Sequence, residues 1–223
     1  AGMMVIARTM AETGVFQWLA VRTTKAAGGR PVVVLILLCA VTAVVSAFLD
    51  NVTTVVLIAP ITLLVARTLQ VPAPPFLIAE TIASNIGGAM TLIGDPPNIL
   101  IASYADIGFS EFLYNVGPGA FLALVVYLAF LSWQFRGRMS TSEELRAEVM
   151  KMDHSSLITN YSTLRISLGV LALTLVGFVF QDQLGYEPAA VAMMGATVLL
   201  LLTRVDPYHS LRDVEWVTLF FFI

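Results

Sequence analysis

Asp50, Asn51, Thr53 and Thr54 form a polar run inside a stretch that is mostly apolar from Pro31 to Leu69. A carboxylate at membrane depth costs at least ~2.5 kcal/mol even on insertion scales, so such a group faces a cavity, carries a proton or holds a cation. Carboxylate, amide and hydroxyl oxygens suit a hard cation such as sodium. Amide donors at the start of the following helix suit an anionic or oxyanion group, so one tip can serve both signs of charge. The plainer alternative is an N-cap in a buried turn.

A second constellation follows in "SNIGGAMTLIGDPPN". Ser84 and Asn85 are polar ligands, Gly87 and Gly88 allow close backbone approach, and Gly94 to Asn98, with Asp95, Pro96 and Pro97 between them, make an expected unwound elbow with free carbonyls. Broken helices of this kind expose backbone groups to substrate at the midplane of secondary transporters. The alternative is a helix-packing glycine pair followed by an ordinary Pro-Pro turn. Glu80 is either a third proton-carrying acid or a residue snorkelling to water. With Asp50, Glu80 and Asp95 at expected membrane depth and no Lys or Arg beside them, the chemistry indicated is cation or proton traffic.

These residues need membrane elements to hold them. The chain is 58% hydrophobic and 12% charged, against the roughly 25% charged of a soluble domain. Its apolar runs are rich in Leu, Ala and Met and lack the alternation of barrel strands, which predicts an all-helical, multi-span membrane protein in a lipid bilayer. The lone Cys39 leaves no disulfide framework within the chain, and His154 and His209 lie far apart, so redox and zinc chemistry are not expected, nor is a nucleic-acid partner.

Residues 31–69 hold two apolar arms with only Asp50 between them, too close for two full crossings, and are expected to form a re-entrant hairpin. Residues 75–109 are expected to form a helix broken at Asp95 to Pro97. Further spans are expected from Gly117 to Phe135, Arg165 to Gln181 and Pro188 to Thr203. This layout divides the chain into a transport repeat (1–135), a cytoplasmic linker with a short surface helix (136–164), a helical pair (165–203), and a loop with the start of a second repeat (204–223). Under it, Arg22, Lys25, Arg30, Arg67, Arg136, Arg138, Arg146, Lys151, Arg165, Arg204 and Arg212 fall on one side, and "SYADIGFSEFLYN" and "QDQLGYE", without a Lys or Arg, fall on the other. Arg8 and Glu12 are spaced to pair on a helix. Trp18, Trp133 and Trp216 lie near span ends as interface anchors.

"SAFLDNVTTVVLIAPIT" followed by "PFLIAETIASNIGGAMTLIGDPPNILIASY" resembles the ion transporter superfamily. Within it the chain is most similar to the arsenical pump membrane protein and NhaD-type antiporter group, which includes the melanosomal P protein. The resemblance covers about Gly2 to Ile223. It implies two inverted repeats, each with a hairpin and a broken helix, an elevator-like movement, a homodimer, a pump ATPase subunit as partner in the arsenical case, and a bacterial inner membrane. In the related dicarboxylate transporters a Ser-Asn-Thr tip and the glycine-proline elbow make a sodium site and touch substrate. Carried onto this chain, that implies Asn51, with Thr53 and Thr54 nearby, and the elbow from Gly94 to Asn98. Together with the residues read above, the expected sodium site is Asp50, Asn51 and Gly94, coupling is expected through Asp50, Asp95, Gly94 and Glu80, and substrate at Asn51, Thr53, Thr54, Ser84, Asn85, Gly87, Gly88 and Asn98. Asp50 stands where the dicarboxylate pattern has serine, and its charge would repel a dicarboxylate and attract a cation.

The expected function is therefore secondary active transport of a small inorganic ion or metalloid oxyacid, with arsenite or antimonite efflux and sodium/proton antiport left open, no enzymatic activity, and no cofactor other than bound sodium. "EWVTLFFFI" looks like the opening of a missing second repeat, so the chain reads as a fragment holding half a site. An intramembrane aspartyl protease built on two aspartates would need glycine at position 92, where the chain has Leu92, and would carry its second acid on a helix that "DPP" breaks. A non-transporting scaffold accounts for the spans but not for two acid-bearing interruptions.

Overall fold

A computed structural model describes residues 2–152 and 157–203, except the side chains of Asp182 and Leu184. Among these residues the fold is all-helical, with ten helices: α1 (Gly2–Glu12), α2 (Val15–Ala26), α3 (Pro31–Ser46), α4 (Asn51–Thr68), α5 (Pro74–Gly88), α6 (Pro96–Ala105), α7 (Phe109–Phe135), α8 (Glu143–Lys151), α9 (Tyr161–Leu184) and α10 (Pro188–Thr203). Helices α4, α7 and α9 are long and apolar enough to cross a membrane, and α3 and α10 are shorter apolar helices. Large apolar side chains stand exposed along α7, among them Phe121, Leu122, Val126 and Trp133. Such a face is stable where the surrounding solvent is hydrocarbon. The expected Arg8–Glu12 pair forms on α1, with Nε 3.3 Å from Oε1.

The hairpin is α3 and α4. Pro31 starts α3 at a position where a missing N–H costs nothing. The chain then turns through Ala47 to Asp50, and Asp50 caps α4 by accepting the Thr53 N–H at 2.8 Å. Both feet lie at one end of the bundle. Gly29, just before α3, packs against Arg146 of α8, and Leu69, just after α4, accepts a hydrogen bond from the Thr141 hydroxyl at 2.9 Å. Helix α2 lies along this same end, with Gly14 at its start against the Leu157 backbone and its other end leading to Gly29. It was not among the expected spans, and its twelve residues reach only about 18 Å.

Several expected boundaries move. The break in the second element covers Ala89 to Asp95, whereas Pro96, Pro97 and Asn98 already form the first turn of α6. The physical reason is that proline obstructs a helix interior but is pre-organised for a helix start, so "DPP" opens a helix rather than closing one. Helix α7 begins at Phe109 and carries Gly117, Pro118 and Gly119 inside it, not at its start. Helix α9 begins at Tyr161, where the Asn160 carboxamide accepts the Thr163 N–H at 3.0 Å. The short surface helix expected in the linker is α8, capped by Ser142. "EWVTLFFFI", with Trp216, and Arg204, His209 and Arg212 lie outside the described residues, as do Asp153 and His154.

One buried cluster joins α3, α4, α5 and α7 through Leu35, Leu38, Val65, Phe76, Ala83 and Leu124. A second joins α1, α9 and α10 and reaches Leu49 at the hairpin tip. A third gathers Leu92 and Ile93 of the break with Phe109 and Phe112 of α7 and Phe178 of α9. The hairpin tip and the break thus lie between two packed groups of helices.

Candidate functional site

Helices α3 and α5 approach closely because Gly87 has no side chain: a Cβ there would stand 2.1 Å from the Ala43 carbonyl oxygen. A Cβ on Gly88 would meet the Gly94 carbonyl at 2.9 Å, and one on Gly94 would meet the Gly88 and Ser46 carbonyls at 2.6 and 2.7 Å. The three glycines therefore bring the end of α3, the end of α5 and the break into backbone contact. Gly87 thus packs α5 on α3, while Gly88 packs on Gly94 of the break.

Hydrogen bonds fasten the tip to the break. Asn51 donates its side-chain amide to Asn85 Oδ1 at 2.9 Å, while its own Oδ1 accepts the Val52 N–H. The Ser84 hydroxyl donates to the Asn51 carbonyl at 3.0 Å. A serine has one hydroxyl proton, so the 3.1 Å contact between Ser46 and Ser84 is made with Ser46 as donor. Thr91 donates to the Ala47 carbonyl and accepts the Gly94 N–H at 3.1 Å. Asn98 reaches back with its side-chain amide to the Gly88 and Thr91 carbonyls, at 3.2 and 2.9 Å. Ser84, expected as a substrate ligand, spends its hydroxyl on holding α5 to the hairpin tip, and Asn98, expected likewise, spends its amide on tying the start of α6 to the end of α5 and the break. Ser46 and Thr91 were missed in the sequence, although Thr91 is a polar residue flanked by "GGAM" and "LIG" in a stretch otherwise short of hydroxyls.

Two helix starts, those of α4 and α6, and two helix ends, those of α3 and α5, converge here. Asp50 and Asp95 occupy the N-cap positions of the two starts. Asp95 makes no capping hydrogen bond to its own helix. Asp50 uses Oδ1 on Thr53, while its Oδ2 is buried with no hydrogen-bond partner. Thr54, one turn further on, is fully buried and its hydroxyl is likewise unpartnered. These orphaned oxygens fit a proton or a hard cation, since a buried lone pair without a donor is otherwise a net cost. Among the described residues no cluster of three His, Cys, Asp or Glu side chains is present, so a cation here would take amide, hydroxyl or backbone oxygens besides carboxylates.

Glu80 stands apart from this junction. It is 1% exposed, so it does not snorkel, and it accepts the Thr62 hydroxyl at 2.7 Å on Oε1 while Oε2 has no partner. Thr62 lies eleven residues beyond Asn51 on α4, about 17 Å along the axis. Next to Glu80, the Ala79 carbonyl accepts the Tyr127 hydroxyl of α7 at 3.2 Å.

A helical membrane bundle with two polar interruptions pinned together, each bearing a carboxylate, is the architecture of a membrane transporter. A family model described as CitMHS, citrate transporter, matches residues 1–223, and the chain belongs to that family. It is 44% identical over 221 residues to the "46 kDa membrane protein" of Mycobacterium leprae, covering 99% of this chain and 51% of that one. It is 41% identical over 221 residues to an "uncharacterized transporter" of Mycobacterium tuberculosis, covering 99% of this chain and 51% of the relative. To the human P protein it is 31% identical over 293 residues, with 99% of this chain and 35% of that protein covered. The chain spans about half the length of its mycobacterial relatives.

Proposed function

We propose that the whole protein is a secondary active transporter coupled to protons or sodium, and that this chain supplies one cation-binding half-site, at Asp50 and Asp95. The observation that carries the reading is the buried, unpartnered Oδ2 of Asp50 at the hairpin tip, which packs against the break that ends in Asp95. A buried carboxylate oxygen without a donor favours uptake of a proton or cation. Asn51, fixed by Asn85, and Thr54, with its free hydroxyl, are the neutral oxygens placed to complete such a site; Thr53 lies beside them. The transported species is an inorganic ion or metalloid oxyacid, sodium, arsenite or antimonite, in keeping with a tip that carries charge where a carboxylate would be repelled. This reading assigns transport, with no enzymatic step, to a homodimer in a bacterial plasma membrane, with a pump ATPase subunit as a partner of the arsenite form.

A second reading is carboxylate transport, which the family's description as citrate transporters and the paired starts of α4 and α6 favour. Under it, a cation bound at Asp50 and Asp95 neutralises the tip before the anion arrives.

The test uses full-length protein in proteoliposomes holding a pH-sensitive dye, with sodium, lithium, arsenite, antimonite and citrate added in turn. Proton movement with sodium or lithium, lost in Asp50→Asn, is the result expected for antiport. Arsenite or antimonite flux alone assigns a metalloid permease, and citrate flux that needs a cation assigns the second reading. Silence toward every solute overturns both.

A further inference from the structure

Helix α5 carries a carboxylate that neither the hairpin tip nor the break uses. Glu80 lies near the middle of α5, which packs against α3, α4 and α7. Its side chain is 1% exposed, and Oε2 is closed off from any space that would admit a water. Oε1 accepts the Thr62 hydroxyl at 2.7 Å, and Oε2 has no partner.

No opposite charge compensates it. Apart from Glu80, helices α3, α4, α5 and α7 hold as charged residues only Arg67, exposed in the last turn of α4, and Glu111, in the first turn of α7. The titratable groups that α3 and α7 bring to this core are the Cys39 thiol and the Tyr127 phenol, and the phenol donates to the Ala79 carbonyl at 3.2 Å. Neither is a cation. Among the described residues no Lys, Arg or His forms an ion pair with Glu80. A carboxylate in such surroundings, with a single hydroxyl donor, is not held ionised but takes up a neutralising partner. A metal ion would need several oxygens at contact distance and room beside Oε2, whereas a proton needs no room.

We propose that Glu80 is a proton-binding site in its own right, apart from the Asp50–Asp95 junction and occupied in this conformation. Thr62 decides which oxygen carries the proton: its hydroxyl donates to Oε1, which is then the carbonyl oxygen, and the proton sits on Oε2. Release breaks the Oε2–H bond, leaves the electron pair on the carboxylate and passes the proton to water. Water does not reach Oε2, so release requires the helices around Glu80 to part. Helices α4 and α5 are also joined by Asn51 and Asn85, so on the transport reading above, on which this one step rests, the proton moves with that unit.

Infrared difference spectra of full-length protein in lipid test the protonation without any flux, and so stand or fall apart from the transport reading. At about pH 6, exposed carboxylates, with pKa values of about 4, are ionised. The parent is expected to show the carbonyl stretch of an un-ionised carboxylic acid that is lost in Glu80→Gln and kept in Asp50→Asn. In Thr62→Val the same band moves to higher wavenumber, because Oε1 has lost its hydrogen bond. Loss of an ionised-carboxylate band in Glu80→Gln, with the acid band unchanged, overturns the proposal, and loss of the acid band in Asp50→Asn overturns the separation of the two sites. If Glu80→Gln is not monodisperse, Thr62→Val decides: an acid band that does not move overturns the assignment to Glu80.

Discussion

Asn51 at the hairpin tip and Asn85 of α5 meet amide to amide at 2.9 Å, although they come from two separate membrane elements. Asn51 begins α4, and Asn85 lies near the end of α5. The contact ties the tip to α5 at the residue next to Asp50. Asn85→Leu therefore lowers the apparent affinity for the coupling cation by about tenfold, the equivalent of ~1.4 kcal/mol. The check is the cation concentration giving half-maximal flux in proteoliposomes; an unchanged value would detach this contact from function.

Asn98 ties the start of α6 to the Gly88 and Thr91 carbonyls. Asn98→Ala removes both bonds and lowers stability by about 1–3 kcal/mol. Thermal melting in detergent reads the loss, and hydrogen exchange should rise first at the amides of 89–95.

Gly87→Ala sets a methyl group 2.1 Å from a backbone carbonyl oxygen, which cannot swing aside as a side chain can. Helices α3 and α5 must separate, costing about 1–3 kcal/mol or more. Gly119→Ala, where a Cβ meets nothing within 4 Å, is the control and should melt like the parent.

Glu80→Gln keeps an acceptor for the Thr62 hydroxyl and removes an ionisable group from a buried position. It melts at or above the parent temperature, whereas Glu80→Ala leaves a cavity and an orphaned hydroxyl and costs about 2–5 kcal/mol. If Glu80 carries a proton in transport, Glu80→Gln also flattens the dependence of flux on pH. A melting point for Glu80→Gln far below the parent would mean that the carboxylate is held for structure.

The hairpin was legible because a charged residue between two apolar arms leaves few alternatives in a membrane, and Asp50 does cap the second arm. The break was legible in kind but displaced, because "DPP" carries a strong proline signal while "AMTLIG" is composed of residues that are acceptable in a helix. What unwinds Ala89 to Asp95 is tertiary: Thr91 bonds to Ala47, and Gly94 fits against Ser46 and Gly88. No local pattern reports contacts across more than forty residues. The same holds for Ser84 and Asn98, whose types suggest ligands and whose hydrogen bonds are structural. Helix α2 escaped notice because it is too short to give a span signal, and its place across the hairpin feet follows from packing with α8 and residue 157.

The hydroxyl and amide stitches between the tip and the α5 side number four: Ser46 with Ser84, Asn51 with Asn85, Ser84 with the Asn51 carbonyl, and Thr91 with the Ala47 carbonyl. At roughly 1 kcal/mol each, parting them costs about 4 kcal/mol and leaves the separated form populated at about one part in a thousand. The tip is thus a poor door but a good wall. On the proposed transport reading, access to Asp50 changes by moving this wall as a block relative to its surroundings, and a cation bound there travels with the masonry.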